Sequence, residues 1–261
     1  MLISVLGHLR LGEGSPPAPL KSSRLRSLVT ALALNEGATV SQEALSAWVW
    51  GEEEGPVNVS GSIYTCVSRL RDELVRRGHP ELSAAITTST HGYTLCWDRS
   101  QIDASAFEDA LTKARIRHRA GELAEALQLI ESALRHWAGS ALADIPPTGP
   151  VERASAHLEE ARFSAEMEEI SINLKLRRPA EAREKAVGLA VKYPLSESVS
   201  QVTMVALEQS GRRGEALTHY RSLHKRLADE LGISPSPALG HLYTRILHGE
   251  SLLSSASPVP P

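Results

Sequence analysis

Between residues 57 and 77, five apolar residues at helical spacing place the strongest constraint on the fold. Val59, Ile63, Val67, Leu70 and Leu74 follow one another at intervals of four, four, three and four residues, which marks one stripe of an α-helix. The opposite face of this helix is small, polar and partly cationic. One interpretation is an ordinary amphipathic surface helix. The other is a recognition helix, whose small side chains approach base edges in a DNA major groove while its arginines reach bases or phosphates.

The segments around this helix predict a small domain with strands before two further helices and a hairpin after the third. The predicted elements are two short strands within 2–11, a further strand near 18–20, helices over about 24–35 and 41–50, and hairpin strands at 86–89 and 93–97. Three helices followed by a β-hairpin form the winged-helix arrangement. In that arrangement the third helix enters the major groove, and the hairpin, or wing, contacts the DNA backbone or minor groove.

The second part of the chain contains near repeats that predict paired helices. Residues 121–127 (GELAEAL) resemble 211–217 (GRRGEAL), and 34 residues separate Glu181 from Glu215, which is the period of tetratricopeptide repeats. The predicted helices cover about 104–119, 122–136, 151–176, 180–192, 196–210, 213–230 and 236–248. Stacked helix pairs leave a concave surface that commonly binds a peptide, another protein or a second copy.

Short motifs of this chain resemble, in their order, those of the Streptomyces antibiotic regulatory proteins. The motifs are ISVLG at 3–7, RLRSL at 24–28, WGEE at 50–53, VSRLR at 67–71, GYTL at 92–95, DASAF at 103–107, WAGSALAD at 137–144 and LGISPSPAL at 231–239. The resemblance covers residues 1 to about 249. It implies a mainly α fold with small β-sheets: an OmpR-type winged helix-turn-helix at 1–100, then a tetratricopeptide-like bacterial transcriptional activation domain at 101–250. Residues 251–261 are predicted to be a disordered tail.

The same resemblance implies a function. It is that of a transcriptional activator of a secondary-metabolite (antibiotic) gene cluster, which binds direct repeats near the promoter −35 region and recruits RNA polymerase. Direct repeats require head-to-tail copies, so self-association on DNA is expected. In OmpR-type regulators the loop before the recognition helix contacts the sigma factor, which implies polymerase contacts for Trp50, Glu52, Glu53 and Glu54. The other interpretation of these acidic residues is a solvated loop.

Candidate DNA contacts are the polar and cationic side chains of the third helix, the wing and the start of the first helix. They are Ser62, Thr65, Ser68, Arg69 and Arg71 on the third helix, Arg76 and Arg77 near its end, His91 and Tyr93 in the wing, and Arg24 and Arg26 on the first helix. Arg76 and Arg77 are interpreted as phosphate contacts or as solvated charges. Arg24 and Arg26 are placed to reach a phosphate.

The charge of the first domain limits this interpretation. Residues 1–100 contain nine Lys and Arg against ten Asp and Glu, a net charge of −1. The wing carries Thr87 to His91 where many relatives have an arginine. Few cations release few counterions, so modest affinity and a shallow salt dependence are expected, with two copies or polymerase needed for tight binding. The alternative function is a repeat-based adaptor whose winged helix has lost strong DNA binding. A third hypothesis is that the repeat domain senses a small ligand.

Other classes of function find no support in the sequence. The phosphate-binding motif G-x-x-x-x-G-K-[ST] is absent, and His91 and Cys96 are too isolated to predict a zinc site. No catalytic constellation, metal or cofactor is predicted, so an enzyme is not expected. No run of 18 apolar residues exists to span a membrane. Cys66 and Cys96 are predicted to be buried free thiols of a cytoplasmic protein.

Overall fold

The computed structural model describes residues 2–12, 20–51 and 55–250. The strand predicted near 18–20, the acidic residues Glu52 to Glu54 and the predicted tail at 251–261 lie wholly or largely outside these ranges. The chain forms two compact units. The first comprises Met1–Ile116 and Leu129–Phe163, and the second comprises Arg117–Gln128 and Ser164–Pro261.

The first unit contains the predicted winged helix. Its helices are α1 (Ser23–Ala33), α2 (Gln42–Trp50), α3 (Val59–Arg76) and α4 (Pro80–Ala85), and its strands are β1 (Ile3–Ser4), β2 (Arg10–Leu11), β3 (Thr39–Val40), β4 (Ile86–Ser89) and β5 (Gly92–Leu95). Strand β1 pairs antiparallel with β2, and the second sheet has the order β3-β5-β4. Helix α4 was not predicted from the sequence. Pro80 occupies the first turn of this helix, where its missing N–H has no partner to lose.

Side-chain caps and the apolar stripe explain where the three main helices form. Ser22, Ser41 and Asn58 each accept a hydrogen bond from a backbone N–H in the first turn of α1, α2 and α3. On α3, Ile63, Val67, Leu70 and Leu74 are at most 1% exposed, while Val59 at the first turn is half-buried. The predicted stripe therefore packs on the core of the first unit.

Residues far along the chain hold the N-terminal segment in place. The Asp103 carboxylate accepts hydrogen bonds from the backbone N–H groups of Val5 (2.8 Å) and Leu6 (3.2 Å). Ala138 N–H donates to the Leu6 carbonyl (2.8 Å), and Leu142 N–H donates to the Val5 carbonyl (3.0 Å). The motifs that begin at residues 103 and 137 thus supply backbone partners that the segment just after strand β1 would otherwise lack.

Asp103→Ala is expected to lower the free energy of unfolding by about 3 kcal/mol, because two buried N–H groups lose their acceptor. Chemical denaturation followed by circular dichroism measures this loss. Asp109→Ala is the control, since that carboxylate is 47% exposed and its ion pair with Arg99 contributes little. Equal stability losses in the two variants would contradict the structural role of Asp103.

Seven longer helices follow, as predicted. They are α5 (Asp103–Arg119), α6 (Leu123–Leu134), α7 (Gly149–Lys175), α8 (Pro179–Lys192), α9 (Glu197–Gln209), α10 (Arg213–Arg226) and α11 (Pro237–His248), with a π-helical turn at Leu227–Leu231. In the second unit, Met204, Leu223, Leu227, Leu242 and Ile246 belong to one buried apolar cluster. Within the described ranges, no helix is both long enough and apolar enough to cross a membrane.

Candidate nucleic-acid interface

The face of α3 opposite its buried stripe is open and polar. Tyr64, Thr65, Ser68 and Arg69 are exposed on this face, and Ser62 is half-buried beside them. The Arg69 guanidinium forms no hydrogen bond or ion pair within the part of the chain that the structure describes. An exposed, unpaired arginine beside small hydroxyl side chains can form a bidentate pair with a planar acceptor such as a guanine edge.

The first turns of α3 are fixed to their surroundings. Asn58 caps the helix by accepting a hydrogen bond from Gly61 N–H at 2.9 Å. The Ser60 hydroxyl donates to the Gln42 side chain of α2, which ties the two helices together. The Thr65 hydroxyl donates to the Gly61 carbonyl at 2.8 Å, which leaves its oxygen able to accept. This half of α3 is therefore held in one orientation before any partner binds.

Arg71 joins α3 to the wing. Its Nη2 donates to the Ile86 carbonyl at 2.6 Å and to the Thr88 hydroxyl at 3.1 Å, both on β4. Through Nη2, Arg71 therefore positions the wing against the helix. The DNA contact predicted for Arg71 stays a prediction for its other guanidinium nitrogens.

Tyr93 is also removed from the interface. Its side chain is 2% exposed, and burial raises the pKa of its hydroxyl. The prediction of a DNA contact for Tyr93 is therefore wrong: β5 lies between β3 and β4, and the tyrosine side chain is in the core. His91, by contrast, is exposed at the tip of the wing, where its N–H donates to the Ser89 hydroxyl at 3.2 Å.

Arg26 has a structural role as well. Its Nη1 donates to the Leu20 carbonyl at 2.7 Å, and its Nε donates to the Asp144 carbonyl at 3.0 Å. The same Nε lies 3.3 Å from the Asp144 carboxylate, and the Arg26 side chain is 19% exposed. The prediction of a phosphate contact for Arg26 is corrected, because its donors hold α1 against the loop that contains Asp144.

A groove of about 630 Å³ lies between the start of α1 and the side of α3. Lys21, Arg24 and Arg69 line it, with Cys66 at its wall. Burial raises the pKa of the Cys66 thiol, while the charges of Arg24 and Arg69 lower it. Arg24 lies 5.7 Å from the centre of the Trp50 ring, within the range of a cation–π contact. The groove thus gathers cations from two helices on one side of the exposed face of α3.

Two further arginines at this groove carry compensated charge. Arg76 forms an ion pair with Glu73, and Arg77 Nε lies 2.7 Å from the same carboxylate. The hydrogen bond from Arg77 lowers the pKa of Glu73, and the charges of both arginines act in the same direction. Glu73 therefore stays ionised at neutral pH and offsets part of the positive charge of its neighbours.

Comparisons with known proteins identify the architecture. The model of the bacterial transcriptional activator domain matches residues 102–247, and that of the C-terminal domain of transcriptional regulatory proteins matches residues 19–95. The transcriptional regulator RedD of Streptomyces coelicolor is 31% identical over 256 residues, an alignment that covers 98% of this chain and 73% of RedD. The chain belongs to the Streptomyces antibiotic regulatory protein family. Members of this family are transcriptional regulators and not enzymes.

The chain covers different fractions of the length of its other relatives. The regulatory protein DnrI of Streptomyces peucetius is 29% identical over 265 residues, and 97% of its length is covered. The regulatory protein AfsR of Streptomyces griseus is 33% identical, but the chain spans 26% of its length. A solved structure of Mycobacterium tuberculosis EmbR in complex with a low affinity phosphopeptide superposes with a TM-score of 0.84 at 28% identity, covering 96% of this chain and 65% of EmbR.

Two further residues of the candidate interface were not among the predicted contacts. Tyr64 is 67% exposed in the middle of α3, and Lys21 lines the cationic groove just before α1. The position of Tyr64 beside the polar face was visible in the helical pattern, but its exposure was not. Cys96 is also exposed, which corrects the prediction of a buried thiol. Within the described ranges, no group of three or more His, Cys, Asp or Glu residues could hold a metal ion.

Proposed function

We propose that the protein is a sequence-specific DNA-binding transcriptional activator of a secondary-metabolite (antibiotic) gene cluster. In this proposal it binds direct repeats near the promoter −35 region, with one copy on each half-site, and recruits RNA polymerase. The observation that carries the proposal is the exposed face of α3, where the unpaired Arg69 lies beside Thr65 and Ser68 on a helix fixed at its N-terminal half. The functional modules are then the winged helix up to about residue 100 and the helical repeats after it.

The side chains divide between base and phosphate contacts. Arg69 reads a guanine edge, and the small residues Ser62, Thr65 and Ser68 let the helix backbone approach the bases. Tyr64 adds an aromatic surface for a thymine methyl group or a deoxyribose. The cations around the helix contact phosphates and fix the register; they are Lys21 and Arg24 at the groove, Arg76 and Arg77 near the end of α3, and His91 on the wing.

The experiment that tests the proposal compares DNA carrying the duplicated repeats upstream of the neighbouring gene cluster with scrambled DNA of the same length. Binding is measured at two salt concentrations, with and without RNA polymerase. A preference for the repeats supports the activator. Equal binding to both DNAs under all four conditions rejects it.

The salt dependence of binding to a single half-site is expected to be shallow. Arg26, Arg71 and Arg99 donate to protein groups, and the charges of Arg76 and Arg77 are partly offset by Glu73. Lys21, Arg24 and Arg69 are therefore the main cations that displace counterions. About three phosphate or base contacts correspond to a slope near −3 in a plot of log K against log salt. Fluorescence anisotropy over a salt series measures it. A slope steeper than about −6 would contradict this assignment of the arginines.

The acidic residues Glu52 to Glu54 are assigned to a contact with the polymerase. Trp50 ends α2 with its ring beside Arg24, and Glu52 to Glu54 follow it in the chain. Replacing Glu52, Glu53 and Glu54 with alanine is expected to reduce transcription in a reconstituted assay severalfold, because the segment loses charge complementarity with a basic sigma surface. Glu81→Ala, on the exposed start of α4, is the control. Loss of DNA binding in the triple variant, or unchanged transcription, would reject this role.

One observation favours a second function. Most arginines of the winged helix contact protein groups, and the domain has a net charge of −1, both of which suit an adaptor that binds other proteins. An adaptor would bind repeat and scrambled DNA equally, with and without polymerase. The DNA comparison above therefore distinguishes the two functions directly.

A further inference from the structure

A groove of about 530 Å³ in the second unit has an apolar wall exposed to solvent. Val187 and Val191, on one side of α8, are 44% and 80% exposed. Thr203 and Leu207 of α9 lie between them and α10. Exposed valines one helical turn apart are unusual on a polar surface, and they form a ridge that a partner can cover. We call this feature the valine groove.

The opposite wall of the valine groove is built from one face of α10. Gly214, Thr218, Ser222 and Arg226 follow one another at intervals of four residues, and all four are exposed. Gly214, Thr218 and Ser222 are small and leave space beside the valines, and Arg226 lies at the end of this row. Arg226 forms no ion pair within the described ranges. Glu215 also lines the groove, but its carboxylate is paired with Arg212 at 3.1 Å. The groove therefore suits an apolar side chain followed by a carboxylate that reaches Arg226.

A protrusion of matching chemistry follows directly on the chain. In the turn at Leu227–Leu231, Asp229 and Glu230 are exposed and form no ion pair among the residues described by the structure. Leu231 is 54% exposed and Ile233 is 49% exposed. We call residues 229–233 the acidic knob.

The acidic knob is held in a fixed shape. Leu227 is 2% exposed and anchors the turn, and Ile233 N–H donates to its carbonyl at 3.2 Å. Gly232 adopts a left-handed conformation with φ of 68°, which turns the chain and presents Leu231 and Ile233 outward. A preorganised protrusion loses little conformational entropy on binding.

We propose that the valine groove of one copy binds the acidic knob of a second copy. Leu231 and Ile233 pack on Val187 and Val191, and the carboxylates of the knob approach Arg226. Because groove and knob are different surfaces, one contact relates two copies head to tail and leaves a free groove on one and a free knob on the other. This is the arrangement that direct repeats require. The inference deepens the two-copy part of the proposed function, but it is tested without DNA.

The experiment is sedimentation velocity of the full chain over a concentration series. The wild-type protein is expected to self-associate. Val191→Asp in the groove and Leu231→Asp in the knob are each expected to raise the dissociation constant at least tenfold, because each buries a carboxylate in an apolar contact. An equimolar mixture of the two variants retains one intact groove and one intact knob per pair. It is expected to form a heterodimer that stops at two copies.

Ile116→Asp is the matched control, since Ile116 is a 60% exposed apolar residue outside both surfaces. It is expected to associate like the wild type. Wild-type protein that stays monomeric, a Val191→Asp variant that associates like the wild type, or a mixture that does not associate would each overturn the inference. Half-site DNA binding is measured on the same samples. If the protein associates but does not bind the half-site, only the proposed function is rejected. If it binds the half-site but does not associate, only the contact between groove and knob is rejected.

Discussion

Arg69→Ala protein is expected to keep its fold and to lose its preference for repeat DNA over scrambled DNA. Arg69 is exposed on α3 without a protein partner in the described ranges, so its removal leaves no buried group unsatisfied. An arginine that reads a base edge contributes about 1–3 kcal/mol per half-site. Two copies on a direct repeat therefore lose about 2–6 kcal/mol together, which corresponds to at least a tenfold weaker binding to the repeats.

Fluorescence anisotropy with labelled repeat DNA and scrambled DNA measures this loss. Arg10→Ala is the matched control, because Arg10 is an exposed arginine of the same unit on β2, and its removal changes the net charge equally. Arg69→Lys separates charge from geometry, since lysine keeps the charge but not the planar pair of donors. If Arg10→Ala weakens binding as much as Arg69→Ala does, Arg69 acts only through its charge and the base contact is rejected.

The elements of this fold could be predicted from the sequence because they depend on local patterns. The stripe on α3 is a regular spacing of apolar residues, and the repeats are similar short sequences at a fixed period. Helix α4 was not predicted because Gly78, His79 and Pro80 indicate the end of α3, which ends at Arg76. In this chain the same proline begins the next helix.

The candidate site was predicted less completely because exposure and pairing depend on distant residues. The helical pattern placed Arg69 and Arg71 on or beside the polar face, yet only the packing of β4 shows that Arg71 donates to the Ile86 carbonyl. Arg26 is likewise bound by Asp144, 118 residues away along the chain. The spacing of residues predicts which face of a helix a side chain lies on. It does not predict which distant residue a long side chain bonds to.

The motifs behind the family resemblance have a physical basis in the wing. Gly92 and Tyr93 stand at the point where β5 meets β3, and Val40 is the residue opposite Tyr93 in the ladder. Gly92 has φ of 149°, and a Cβ atom added to it would lie 2.0 Å from the Val40 carbonyl oxygen. Only glycine lets the two strands approach this closely. Adding a single methyl group at Gly92 is therefore expected to be among the most destabilising substitutions in the chain.

Gly92→Ala is expected to lower the free energy of unfolding by about 4 kcal/mol, because backbone atoms on both sides of the clash must move and the β3–β5 pairing is lost. Thermal denaturation measures it, with about 2–4 °C of Tm per kcal/mol for a domain of 150–250 residues. Gly37→Ala is the control: Gly37 has φ of 76° but no atom within 4 Å of an added Cβ. The stability lost in Gly37→Ala measures the cost of a left-handed backbone alone, about 1–2 kcal/mol. Equal losses in the two variants would show that the contact with Val40 does not decide the shape of the wing.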